Sequence, residues 1–389
     1  MSKISDLIAK LCPNGVEYKK LGECVRIRNG SDYKHLGPGK VPVYGSGGIM
    51  TYVDEYVYDK PSVLIPRKGS IEKLYYVDSP FWTVDTLFYT EINVEIVGPR
   101  YLYYVLQKEH LEQYNTAGGV PSLTQKVLND IPIPVPPVKI QREVVEVLDK
   151  FALLTAELTA ELEKRKKQYE HYRDKLLKFT PPLTEIEIIE LGEVIKSLNT
   201  GLNPRRFFQL NTDDAMNYYV TIREMHGGRI EFSDKTDRIN DEAMRLCNNR
   251  SNLEKGDVLF SGTGTIGEMV VLEETPTNWN IKEGVYTIKP DQTKILPKFL
   301  RYILMSTPIR LSYLSKVAGG TVKSISMGDM KKIKIPLPTL KKQAEVVALL
   351  DKFDKLCNDL TSGLPAEIAA RKKQYEYYRD KLLNFKRAA

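Results

Sequence analysis

Between Val144 and Phe179 the apolar side chains Val144, Val147, Phe151, Leu154, Leu158, Leu162, Tyr169, Tyr172, Leu176 and Phe179 recur at helical spacing. Steps of three, four and seven residues trace one stripe on a long α-helix, predicted from about Ile140 to Phe179. The same stripe returns in Val346, Leu349, Phe353, Leu356, Leu360, Leu364, Ile368, Tyr375, Tyr378, Leu382 and Phe385. Here Ser362-Gly363-Leu364-Pro365 interrupts it, and Pro365 is well placed in the first turn of a restarted helix. Each stripe begins just after a proline run, IPIPVPP or IPLP, that holds the preceding backbone extended.

Elsewhere the pattern is that of strands. Short β-branched and aromatic runs (VPVY, SVLIP, KLYYV, TLFYT) fill residues 41–90, separated by Gly, Pro and Asp. Residues 218–232, 257–261, 269–273 and 285–289 read likewise, and helical stretches are expected at Pro99–Glu112 and Pro297–Leu314. Each such region is a compact α+β unit with a strand-rich core.

The chain is an internal repeat. Residues 165–179, RKKQYEHYRDKLLKF, return as RKKQYEYYRDKLLNF at 371–385, differing only at His171/Tyr377 and Lys178/Asn384. Pro134, Gln141 and Asp149-Lys150-Phe151 answer Pro336, Gln343 and Asp351-Lys352-Phe353. The offset grows from 202 residues there to 206 at Arg165/Arg371, so the second copy carries about one extra helical turn. This gives a first domain (1–138), a central helix (139–181), a second domain (182–338) and a C-terminal helix (339–389). Antiparallel pairing of the helices would relate the domains by an approximate two-fold axis. About 36 helical residues span roughly 55 Å, enough to carry two DNA-reading heads along one duplex. A plain coiled-coil stalk is the competing reading.

Composition narrows the class. Lys and Arg number 57 against 50 Asp and Glu, a net charge of +7 that permits a polyanionic partner without requiring one. No run approaches the length of a membrane span. The opening MSKISDLIAKLCPNG has neither a long apolar core nor a small-residue cleavage site. Cys12, Cys24, Cys247 and Cys357 are scattered, as suits reduced thiols. A cytoplasmic protein is expected.

Catalytic motifs are missing. Gly262-Thr263-Gly264-Thr265-Ile266-Gly267 matches GxGxxG, but a dinucleotide site requires a helix to follow, and EMVVLEE continues as strand. The corresponding Pro66-Arg67-Lys68-Gly69-Ser70-Ile71 keeps only the central glycine, so both are expected to be tight turns. Tyr44-Gly45-Ser46-Gly47-Gly48 is likewise a turn. The histidines show no zinc-ligand spacing, and no nucleophile elbow is present. No metal or catalytic residues are assigned.

Candidate binding residues lie on loops. Arg67, Lys68, Ser70 and Lys73 cluster near Tyr75 and Tyr76, and Lys126 follows Gly118-Gly119. In the second domain Arg205 and Arg206 follow Gly201-Leu202-Asn203-Pro204, Thr263 lies in the glycine turn, and Lys323 with Ser324 follows Gly319-Gly320. Basic and hydroxyl side chains on a rigid strand scaffold suit phosphate anchoring and base-edge readout. Ordinary solvated loops are the alternative.

The paired RKKQYExYRDKLLxF helices, the opening LCPNGVEYKKLGE, VPVYGSGGI and GGVPSLTQKVLNDIPIPVPP together resemble specificity subunits of type I restriction-modification systems. The resemblance covers essentially the whole chain. It implies two target-recognition domains on double-stranded DNA, each reading half of a split site, with helices that space them and dock two methyltransferase subunits. Tyr169, Tyr172, Arg173 and Leu176, with Tyr375, Tyr378, Arg379 and Leu382, are then the expected docking residues. Restriction/translocase subunits would join that core, and S-adenosylmethionine, ATP and Mg would belong to the partners. Near-identical helices fit two equivalent docking sites, and divergent domains fit an asymmetric bipartite target. A self-sufficient DNA-modifying enzyme and a scaffold that never touches DNA are the alternatives.

Overall fold

The computed structural model describes residues 2–115, 118–179, 186–204, 207–319, 323–359 and 362–388. The chain forms two compact α+β units, one of residues 1–158 with 368–389 and one of residues 159–367. The helical segments are therefore divided between the units rather than forming a separate body.

The first half begins with α1 (Ser2–Leu11), β1 (Tyr18–Lys20), α2 (Leu21–Cys24), β2 (Val25–Asn29), β3 (Pro38–Gly45) and β4 (Gly48–Val53). It continues with β5 (Ser62–Pro66), β6 (Tyr75–Val77), β7 (Trp82–Thr83), β8 (Leu87–Ile92) and α3 (Pro99–Lys108). After α4 (Gln125–Asn129) and β9 (Pro132–Pro134), the 40-residue helix α5 (Val138–Leu177) starts in the first unit and ends in the second. Strands β2-β8-β5-β6 form an antiparallel sheet. In the order β4-β3-β7, β3 pairs antiparallel with β4 and parallel with β7. β1 pairs with β9. The run SVLIP, buried at every position, is the inner strand that its β-branched residues predict.

The second half repeats this order. It runs β10 (Glu187–Glu190), β11 (Ile195–Thr200), β12 (Asn217–Val220), β13 (Met225–His226), β14 (Arg229–Ile230), β15 (Arg238–Ile239) and α6 (Asp241–Ser251). Then come β16 (Val258–Ser261), β17 (Met269–Val271), β18 (Trp279–Ile281) and β19 (Val285–Pro290). They are followed by α7 (Pro297–Met305), α8 (Thr307–Leu314), α9 (Met327–Lys331), β20 (Lys334–Leu337), α10 (Leu340–Asn358) and α11 (Leu364–Leu382). The sheets β11-β19-β16-β17 and β15-β12-β18 and the pair β10·β20 match those of the first half strand for strand. The hairpin β13·β14 and helix α6 have no described counterpart there. The side chain of Asn240 caps α6 by accepting from Ala243 N, and Asp241 and Glu242 occupy its first turn.

Two expected helices are interrupted. The stretch from Pro99 stops at Lys108, where His110 turns left-handed (φ 46°) before a short 3₁₀ turn. The stretch from Pro297 breaks at the extended Ser306, and Pro308 sits in the first turn of α8. The second long helix breaks between Asn358 and Leu364, with Pro365 in the restarted first turn as the sequence indicates. The apolar stripe is also rotated slightly. The side chains that bury completely are Ile140, Val144 and Leu148, and Leu350 in place of Leu349, which is exposed. A four-residue step keeps these on the face buried in the core of each unit.

Each unit is docked to the start of its helix by the same polar lock. Gln141 Oε1 accepts the Gly98 N–H at 2.8 Å, while Nε2 donates to Ile96 O at 3.0 Å and Pro136 O at 2.8 Å. Gln343 reproduces the set on Leu296 N, Lys294 O and Pro338 O at 2.8, 2.9 and 2.8 Å. Two turns on, Asp149 accepts from Tyr104 and Arg100, and Asp351 accepts from Tyr302 and Lys298. Both glutamines are buried, so truncation strands backbone groups that water cannot reach. Gln141→Ala and Gln343→Ala should each cost about 2–4 kcal/mol, read as a lowered denaturation midpoint of the assembled protein. A loss below about 0.5 kcal/mol would show that the lock does not hold the fold.

Candidate nucleic-acid interface

In the first unit β5 delivers Pro66 into the turn Arg67–Ser70. That turn is stapled to a second loop: Leu123 N donates to Arg67 O (2.9 Å), Gly69 N donates to Pro121 O (3.0 Å), and Lys68 bridges Ser122. The β3–β4 turn stands beside it. Tyr75 OH donates to Ser46 O at 2.9 Å, and a Cβ on Gly69, whose φ is +83°, would lie 3.9 Å from Ser46 Oγ. Three loops thus meet at one place, with Gly47, Lys68, Ser70 and Val120 exposed and nothing within 4 Å of a Cβ on Gly47, Gly118 or Gly119. Lys73 is exposed on the adjoining turn, its N–H donating to Ser70 O at 3.1 Å. Lys126 is exposed on α4, which Thr124 caps. Arg67 is half-buried, with its guanidinium 5.8 Å from the Phe88 ring centroid.

The second unit builds the same junction with different side chains. Strand β16 enters the glycine turn, where Gly262 N donates to Gly284 O (2.8 Å), Gly264 N donates to Lys323 O (2.8 Å) and Ile325 N donates to Gly262 O (3.0 Å). Thr263 bridges Ser324 where Lys68 bridges Ser122. A Cβ on Gly262 would fall 2.3 Å from the Tyr286 ring, which fixes glycine there. The turn leads into β17 rather than a helix, so the GxGxxG match is a hairpin turn. The lysine has changed sides: it precedes Ser324 in one loop and faces Ser122 from the other in the first unit. Arg205 and Arg206 lie outside the described residues.

The structure brings together Thr263, Lys323 and Ser324, which the sequence pattern placed on two separate loops, and adds Ser46 and Gly47, which it read only as a turn. Their adjacency to Gly69 depends on pairing β3 with β4, which only the turn glycines hinted at. The pattern did not single out Ser122, whose partner lies 54 residues earlier in the chain.

The shared helix motif faces inward. Tyr169, Arg173, Arg379 and Leu382 are buried, and Leu176, Tyr375 and Tyr378 are half-buried against the cores of their own units. Tyr378 stacks on Phe151 at 5.1 Å and Tyr172 on Phe353 at 5.7 Å. Tyr375 OH donates to Gln107 at 2.7 Å, whereas the buried Tyr169 OH has no hydrogen-bond partner among the described residues. The exposed side of the motif includes Lys167, Glu170, His171, Tyr172 and Lys175 on α5, and Lys373, Glu376, Tyr377 and Lys381 on α11.

No group of His, Cys, Asp and Glu among the described residues is arranged to hold a metal, and no described helix is long and apolar enough to cross a membrane. Burial pushes the Cys24 thiol up to about 11 and Cys247 up to about 12, and raises Cys357 as well. A raised pKa leaves these thiols protonated near neutral pH, the opposite of an activated nucleophile. A thiol reagent at pH 8 should therefore titrate Cys12, the half-exposed one, quickly and the other three only on unfolding. Rapid reaction of Cys247 in the native protein would contradict this burial.

The family described as the type I restriction modification DNA specificity domain matches residues 13–165 and 184–370. A type I restriction enzyme specificity subunit of Haemophilus influenzae is 32% identical over 396 residues, covering 95% of this chain and 96% of that protein. One from Escherichia coli is 35% identical over 297 residues, covering 74% of this chain and 70% of that protein. The crystal structure of an S subunit from M. genitalium superposes with a TM-score of 0.55 at 16% identity, covering 95% and 96% of the two chains. A chain from a type I restriction-modification complex gives 0.58 at 17%, covering 96% and 98%. These two similarities support the fold.

Proposed function

The chain belongs to the family of type I restriction-modification DNA specificity proteins, and on that premise we propose that each of its two loop junctions reads one half of an asymmetric, split DNA sequence. The observation that carries this reading is the repeated bridge, Lys68 with Ser122 and Thr263 with Ser324, at one topological position with different side chains. The same frame presents lysine and hydroxyl groups to a polyanion in two different arrangements. Lysine anchors phosphate, and hydroxyls, Arg67 and backbone groups at the exposed glycines address base edges.

The helices carry the docking role in this reading. Since Tyr169, Arg173, Tyr375 and Arg379 are engaged inside their own units, docking of two methyltransferase subunits falls to the exposed side, around His171, Tyr172 and Tyr377. Methyl transfer from S-adenosylmethionine and ATP- and Mg-dependent cleavage by restriction/translocase subunits would be the partners' chemistry, in the cytoplasm.

Co-expression with the cognate methyltransferase subunit, followed by single-molecule sequencing of the host DNA, tests this directly. A split motif with unlike halves is expected. An assembled, methyl-donor-loaded complex that modifies no motif would sink the reading in favour of a protein scaffold. Lys323→Ala should weaken binding to all sequences alike and lower the slope of log K against log salt by about 1, measured by fluorescence anisotropy. An unchanged slope would remove Lys323 from the interface.

A further inference from the structure

The second half departs from the first by the hairpin β13·β14 and by the break between α10 and α11, and within the second unit these two departures touch. The hairpin turn is Gly227-Gly228, both with positive φ (+54° and +81°). A Cβ on Gly227 would lie 3.8 Å from Asn358 O, at the last residue of α10. Arg229 Nη2 lies 3.2 Å from Asp359 Oδ1, and Asp359 is only 7% exposed. The other Asp359 oxygen accepts from Ser362 Oγ at 2.7 Å, and its carbonyl accepts the Gly363 N–H at 2.9 Å. One residue therefore ties the hairpin to the break, its carboxylate holding Arg229 and Ser362 and its carbonyl holding Gly363 N–H.

A second tie lies one turn back. A Cβ on Gly228 would sit 2.6 Å from Arg301 Nη2, so a larger side chain at this positive-φ position would push that buried guanidinium aside. Arg301 Nη1 donates to Asp354 at 3.1 Å, and Asn358 Nδ2 donates to the same carboxylate at 2.9 Å. These contacts close one side of an open cleft of about 780 Å³ between the hairpin, β17, α7 and α10. In the first half the positions of Arg301, Asp354 and Asp359 are Tyr103, Ala152 and Glu157, and α5 runs through without a break.

We propose that the hairpin is a clamp that fixes the second reading domain against the helix break, so that Arg229 and Asp359 are positioning residues for the spacing between half-sites. The inference rests on the reading of the protein as a two-headed DNA reader. A rigid domain-to-helix angle is what a fixed spacer demands. A break in a helix is where that angle would otherwise relax, because the main-chain ladder is interrupted there. Asp359 is buried and its carboxylate also accepts from Ser362, so Arg229, itself exposed, sets where the hairpin sits rather than whether the carboxylate is paired.

The test uses the full chain co-expressed with its methyltransferase subunit, with modified sites mapped across the host genome. Arg229→Asp and Asp359→Arg should keep both half-site sequences but raise modification at spacers one base pair longer or shorter by about tenfold. The double swap should restore the original spacer. Arg229→Gln alters a half-exposed side chain and guards against loss of folding. It should relax the spacer in the same direction while the thermal midpoint stays close to that of the parent. Unchanged spacer discrimination in Arg229→Gln would overturn the clamp and leave the two-headed reading intact. Absence of any split motif from the parent complex would overturn that reading, and the clamp with it.

Discussion

The side chains that finish the first unit's core, Leu382, Leu383 and Phe385, come from the end of the second helix, and Tyr169 and Leu177 at the end of the first helix enter the second unit's core. Neither half of the repeat supplies a complete core of its own. Tyr18 OH reaches Phe385 O (3.2 Å), Lys108 reaches Leu383 O (3.2 Å), and Thr307 N reaches Asp174 (3.0 Å), so polar contacts reinforce the same exchange. Much of the conservation between the RKKQY copies follows from this closure, since any helix ending a unit in this way must present the same aromatic and arginine face.

The glutamine and aspartate locks complete the frame. The glutamines bind the start of each helix to backbone groups and repeat in both units group for group, while the aspartates tie it to a tyrosine in both units and to Arg100 in one and Lys298 in the other. With the frame held constant, the loop junctions can vary without cost to the core. That is the physical basis on which one architecture carries two unlike loop junctions. The second unit adds a further constraint at the point where its helix is interrupted.

Local pattern made a good part of this legible. Helical periodicity located both long helices, Pro365 marked the restart, and strand-like EMVVLEE identified the GxGxxG match as a turn. The repeat was plain from RKKQY alone. What stayed hidden depends on partners distant in sequence. A stripe of apolar residues does not say whether Val147 or Leu148 faces the core, nor that Arg173 and Arg379 point inward. Helix α6 carried a readable signal in Asn240-Asp241-Glu242, but its polar face masked the periodicity. Arg229 and Asp359 are separated by 130 residues, and nothing in either segment announces the other.

The most direct test of two independent reading surfaces on one frame is a chimera. Residues 13–134 would be replaced by the equivalent segment of a relative, leaving the helices from Val138 and Leu340 intact, and the methylated motif of the assembled complex would be sequenced. One half of the motif should change to the donor's while the other half and the spacer persist. A motif altered in both halves, or retained entire, would contradict the assignment of one half-site to each unit.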